Sequence, residues 1–200
     1  MTKITERGMI FNGEMVRALL SGRKTQTRRI IKPQPEVTLS GSLSGKWLSR
    51  PLNGLLLPKI EDIAIHCPFG AVGDRIWVRE TWGVVSHAFS DDGLMIDWVP
   101  DRPATAIHEM PFGNGYYSGY AIYATDGDFT WGDDDGYEDG RWCWKPSIHM
   151  PRAASRILLE ITDVRVERLR SMSQDDARAE GVIAASGPME AGLAFRELWD

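Results

Sequence analysis

The stretch SRILLEITDVRVERLR, residues 155–170, constrains the fold more than any other feature of the chain. Ile157, Leu159 and Ile161, then Val164 and Val166, recur at every second position among polar neighbours. A period of two suits a half-buried strand and not a helix. It predicts one long strand, or two joined near Thr162-Asp163. A second run, RIWVRETW from Arg75 to Trp82, alternates Ile76 and Val78 against Arg75, Trp77 and Arg79 after a turn at Gly73-Asp74, and predicts another strand.

Helical periodicity is confined to short pieces near the two ends. Met15, Val16, Leu19 and Leu20 have helical spacing, with Asn12 placed to cap the first turn and Gly22 to end the last. Ser173 and Asp176 form a capping-box pair ahead of a short helix closed by Gly181, and Pro188 opens a last helix. Strands with a helix near each end predict an α+β fold, a small mixed β-barrel with flanking helices in which closure removes free strand edges. With 200 residues, of which 42% are hydrophobic, one domain over 1–200 is expected. Residues 36–59, rich in Ser, Gly and Pro, and residues 91–140, with repeated DDG and an acidic run, are expected to be loop insertions.

A net charge of −5 argues against a protein that coats nucleic acid with its whole surface, so any polyanion contact must be local. The basic stretch LLSGRKTQTRRIIKP, from Leu19 to Pro33, is the place for it. Cys67 and Cys143 are the only cysteines, too few for a disulfide framework, which fits a reducing cytoplasm. The N-terminal MTKITERGMIF lacks a signal-peptide core, and no apolar run nears the roughly 18 residues of a membrane span. A cytoplasmic protein without a membrane partner is expected.

No cofactor is expected, since no glycine-rich phosphate loop is present. His66, Cys67, Cys143 and His149 are zinc-type ligands, but their spacing matches no knuckle or ribbon. The DGD and DDDG segments lack the register of a calcium loop. No metal site is therefore expected.

Four segments, GRKTQTRRIIKPQP at 22–35, CPFGAVGDRIWVRETW at 67–82, WKPSIHMPRAASRILLEITDVRVERL at 144–169 and DARAEGV at 176–182, together resemble the ASCH family of the PUA-like superfamily, and more closely its phage and prophage members. The resemblance implies a PUA-like barrel. It leaves the activity open, because the family includes RNA binders, a ribonuclease and small amidohydrolases. Gly22 to Thr27 is similar to the GRKTxT motif of the bacterial N4-acetylcytidine amidohydrolases, which implies a catalytic Lys24 and Thr27. The glutamate of ARAEG implies a catalytic Glu180.

That trio makes chemical sense. A threonine hydroxyl needs a base to become a nucleophile, a desolvated lysine can be that base, and a carboxylate can orient it or carry a proton to the departing amine. The bland alternative is a salt bridge between Lys24 and Glu180 with Thr27 an ordinary strand residue, and a turn lysine is expected to add little packing beyond its stem. Arg23, Arg28 and Arg29 suit a phosphate or a base, or else a solvated face paired with the acidic residues 126–139. Arg79, Trp82 and Lys145 are further substrate-binding candidates, with Trp82 either a stacking ring or a core residue and Glu80 bonded to Arg79 or Arg156.

The function classes that follow are an amidohydrolase acting on an N-acyl nucleoside, with RNA or a modified nucleoside as partner, and a non-catalytic RNA- or DNA-binding module; a ribonuclease is a third. Two departures bear on them. Phage relatives carry tryptophan where this chain has Ala153, and they continue into a final barrel strand where this sequence stops at Asp200.

Overall fold

The computed structural model describes residues 4–50, 52, 54–131, 143–183 and 191–197. It is an α+β protein with short helices and four small sheets; among the described residues no sheet closes on itself. No helix among them is long and apolar enough to cross a membrane. The chain divides into two compact units, one containing Ala18–Asp74 and Glu160 onward, the other Thr5–Arg17 and Arg75–Leu159.

The second unit holds most of the strands. β1 (Glu6–Ile10) runs parallel to β4 (Arg75–Arg79), with Gly8 opposite Trp77. Gly8 is required there, because a Cβ would lie 2.6 Å from the Trp77 ring. β5 (Trp82–Val85) pairs antiparallel with β9 (Gly115–Tyr123), and β9 with β8 (Thr105–Phe112). The core of this unit is built from Trp82, Ile107, Met110, Ala121, Tyr123, Met150 and Ala154. A separate hairpin joins β6 (His87–Phe89) and β7 (Met95–Asp97).

β8 and β9 fall within residues 91–140, which the acidic, glycine-rich composition marks as a loop; they form instead the longest antiparallel pair among the described residues. Burial is concentrated at the far end of the pair, where Ala121, Ile122 and Tyr123 are fully buried, and the alternation is interrupted by a register shift between Ile107 and Met110 at Glu109, whose φ is 45°. The pattern of two is broken by that bulge. Much of the acidic run at 126–139, and Pro188, lie outside the described residues.

The first unit starts at the end of α1 (Gly13–Leu20). Asn12 Oδ1 accepts from Met15 N at 2.8 Å to cap that helix, and Gly22, at φ 72°, ends it. Residues 36–59 are more ordered than their composition suggests. β2 (Glu36–Val37) and β3 (Leu43–Ser44) form a hairpin, a 3-10 helix follows over Gly45–Ser49, and Leu43, Trp47, Leu52 and Ile63 make a small core. The indole N–H of Trp47 donates to Pro33 O at 3.0 Å.

The alternating run after Ser155 forms a ladder only over β10 (Leu158–Glu160), next to β4. Ile161 still exchanges backbone bonds with Gly73 and Asp74. From Thr162 the chain has no ladder partner among the described residues, a break that coincides with Thr162-Asp163. α2 (Gln174–Ala179) follows, with Ser173 and Asp176 in a reciprocal capping box, and α3 (Ala191–Glu197) packs Ala191 and Phe195 on Ala177.

Candidate functional site

The turn after α1 delivers a lysine into the interior of the first unit. Lys24 N donates to Ala18 O at 3.0 Å, and Thr25 N and Gln26 N both donate to Ala179 O, at 2.7 and 2.9 Å. These backbone bonds clamp the basic stretch to the end of α2. Gly181 completes the clamp. Its φ is 88°, and a Cβ there would lie 2.9 Å from Ala18 Cβ and 3.1 Å from Lys24 Cβ, so both conformation and space call for glycine.

Lys24 is therefore not a surface turn lysine. It is 3% exposed, and its Nζ donates to Glu180 Oε2 at 2.6 Å and to Glu180 O at 2.8 Å. Glu180 is buried as well, at 8%. Its other oxygen, Oε1, accepts from Arg28 Nη1 at 3.2 Å. Burial pushes the Lys24 ammonium below the ordinary lysine range, against the opposing pull of the Glu180 carboxylate. A lysine in this setting gives up its proton more readily than one in water.

Arg28 is the hub of a wider network. Nη1 also donates to Gln26 Oε1 at 3.0 Å, while Nη2 lies 3.3 Å from both Glu167 Oε2 and Asp176 Oδ1. The Ser173 hydroxyl and backbone N–H, with smaller help from Gln26 and Arg28, hold the Asp176 carboxyl well below the usual carboxylate range. Glu167 is also part of a groove of about 450 Å³ lined by Ile60, Glu61, Val164, Arg165, Val166 and Ser171 among others.

Thr27 is placed differently from the pair. It is half-buried, its Oγ1 accepts from Arg29 Nη1 at 2.8 Å, and it makes no hydrogen bond to Lys24 or Glu180 among the described residues. Arg23 and Arg29 are exposed, and Arg23 Nε donates to Ser21 Oγ at 3.0 Å. The basic stretch thus splits into a buried Lys24 with a half-buried Arg28, and an exposed part, Arg23 and Arg29. Sequence reasoning grouped Arg28 with the exposed pair because its carboxylate partners lie about 140 to 150 residues further on.

The remaining candidates belong to the second unit. Arg79 stacks over the Trp77 ring at 4.8 Å and donates through Nε to Met150 O at 3.3 Å. Trp82 is fully buried, which makes it a core ring and not an open stacking platform. Lys145 pairs with Trp82 through two backbone bonds, and its Nζ faces aromatic rings. Glu80, 1% exposed, is gripped by Arg156, whose Nε and Nη2 each lie 3.0 Å from its two oxygens. Arg156 also donates to both oxygens of Asp126, at 2.6 and 3.0 Å, and Thr125 Oγ1 bonds Glu80 Oε2. Asp126 belongs to the acidic run expected as part of a loop insertion, and no local signal marks its pairing with Arg156.

No family model matches the chain, and neither a curated protein nor a solved structure matches it. Among the described residues no three His, Cys, Asp or Glu side chains are grouped to hold a metal ion.

Proposed function

We propose that this chain is a phage-type ASCH protein of the PUA-like barrel class that binds RNA or a modified nucleoside at the edge formed by residues 23–29 and hydrolyses an N-acyl bond such as that of N4-acetylcytidine. The observation that carries the reading is the buried ion pair of Lys24 with Glu180, with the half-buried Thr27 three residues further along the same segment. Desolvation lowers the proton affinity of Lys24, the property a general base needs near neutral pH. In the proposed reaction Thr27 Oγ1 bonds to the acyl carbon while its proton passes to the neutral amine form of Lys24, which burial makes easier to reach. The C–N bond then breaks, the departing amine takes that proton, and water frees the acyl group from the threonine ester. Glu180 holds Lys24 in place and balances the charge of its ammonium form, and Arg28 donates to the other Glu180 oxygen.

A second reading, a non-catalytic RNA- or DNA-binding module, draws on the bond between Thr27 Oγ1 and Arg29, which leaves the hydroxyl turned to an arginine and not to the lysine. Incubation of the protein with N4-acetylcytidine, with release of cytidine and acetate followed by chromatography, separates the two. Turnover that disappears in Thr27→Val, a variant of nearly equal shape, supports hydrolysis. Absence of turnover by the folded protein removes the hydrolytic reading and leaves binding.

A further inference from the structure

We propose that Lys145 and the rings around it form a subsite for the phosphate of a nucleotide, built on the second unit. Three rings surround the ammonium: Nζ lies 5.0 Å from the centroid of Tyr117, 5.9 Å from that of Trp82 and 6.0 Å from that of Phe112. The rings form one connected wall, with Trp82 and Phe112 edge to face at 5.3 Å and Phe112 and Tyr117 tilted at 5.5 Å. They come from β5, the end of β8 and the start of β9.

The wall holds a cation but supplies no oxygen to its three N–H donors. Among the described residues Lys145 has neither an ion pair nor a side-chain hydrogen bond. The Trp82 indole N–H, fully buried in the same cluster, likewise has no acceptor there. An ammonium whose N–H donors meet only aromatic rings among the described residues matches a ligand that supplies acceptors, and an oxyanion is such a ligand. The lysine is also held in place before any ligand arrives, since Lys145 N donates to Trp82 O at 2.7 Å and Trp82 N to Lys145 O at 3.2 Å. Preorganisation of this kind reduces the ordering that binding requires.

The rings select among oxyanions. Phe112, Tyr117 and Lys145 are all half-buried, so a group held at the ammonium lies beside exposed ring surface. A flat heterocycle attached to the phosphate gains contact there, whereas inorganic phosphate gains none. The subsite uses none of the residues of the Lys24 pair, so either proposal can fail without the other.

The test is a titration of the full chain with adenosine monophosphate, adenosine and inorganic phosphate, followed by the indole N–H and aromatic ring resonances. Adenosine monophosphate is expected to shift the Trp82 and Tyr117 signals saturably and to bind about tenfold more tightly than either adenosine or phosphate. Lys145→Gln is expected to reduce its affinity to that of adenosine, and Lys145→Arg to keep it within about threefold, each variant retaining the wild-type melting temperature. Tyr117→Leu, which keeps the charge and removes a ring, is expected to reduce the advantage of the nucleotide over phosphate. No saturable shift, a shift that survives Lys145→Gln, or equal binding of phosphate and nucleotide overturns the proposal.

Discussion

Lys24 Nζ and Glu180 Oε2 lie 2.6 Å apart across 156 residues of sequence, and neither side chain is more than 5% exposed. Removing one partner of such a pair strands the other charge in the interior, at a cost of about 3–5 kcal/mol. Lys24→Ala is therefore expected to destabilise the protein by that amount in urea titrations, contrary to the small effect expected of a turn lysine. The double variant Lys24→Met with Glu180→Met removes both charges and is expected to be more stable than Lys24→Ala alone. If Lys24→Ala leaves the midpoint unchanged, the pair does not form in solution. Activity of any Lys24 variant has to be read at temperatures where that variant is folded.

Gly181 gives a cleaner test of the clamp, because it changes no charge. At φ 88°, with its would-be Cβ 2.9 Å from Ala18, Gly181→Ala carries both a conformational and a steric penalty of about 2 kcal/mol or more. A melting temperature lowered by several degrees is the expected outcome. An unchanged one would place Ala18 and Gly181 further apart than described.

Asp176 sets the acid limit of the same region. The Ser173 hydroxyl and backbone N–H favour its ionised form and lower its folded pKa. A carboxyl depressed in the folded state stabilises the protein fully above its unfolded value of about 3.9, and that contribution is lost as pH falls below it toward the folded value. Stability measured from pH 6 to pH 2 is expected to fall less steeply in Asp176→Asn than in the wild type. Parallel curves would show that Asp176 does not feel Ser173.

Parts of this arrangement were legible in the sequence, and the reasons differ by residue. α1 and its limits were, because Asn12 and Gly22 act locally. β4 was, because Ile76 and Val78 alternate without interruption. β8 and β9 were not, since the bulge at Glu109 breaks the alternation and the surrounding glycines and aspartates resemble a loop. The Lys24–Glu180 contact rested on a family resemblance alone, and no local signal predicts a partner so far along the chain. The three carboxylates around Arg28, and the three rings around Lys145, depend on tertiary placement that periodicity does not encode.

The second buried charge system, Arg156 with Glu80 and Asp126, is expected to behave as scaffold. Arg156 sits 3.9 Å above the Tyr123 ring and spans two carboxylates, a geometry that a lysine cannot reproduce. Arg156→Lys is expected to cost about 2 kcal/mol and Arg156→Met about 3–5 kcal/mol, since the latter leaves Glu80 buried without its cation. Adding Glu80→Gln to Arg156→Met is expected to recover part of the loss. If Arg156→Met melts like the wild type, the bidentate contact contributes nothing in solution.

Arg28 and Arg29 are neighbours in sequence and are expected to separate completely in experiment. Arg28 spans Glu180, Glu167 and Asp176, with its side chain only 19% exposed, whereas Arg29 is exposed beside Thr27. Arg28→Gln therefore removes charge-assisted bonds and is expected to cost about 2 kcal/mol of stability. Arg29→Gln and Arg23→Gln are expected to leave the melting temperature unchanged. Those two should act on binding instead: an exposed cation that contacts a phosphate releases counterions, so its loss flattens the slope of log affinity against log salt by about 0.7 for a single strand. Binding of a short single-stranded RNA, measured at several salt concentrations for the wild type and the three variants, checks both halves. A salt slope unaffected by Arg23→Gln and Arg29→Gln would remove the exposed part of the basic stretch from any nucleic-acid surface.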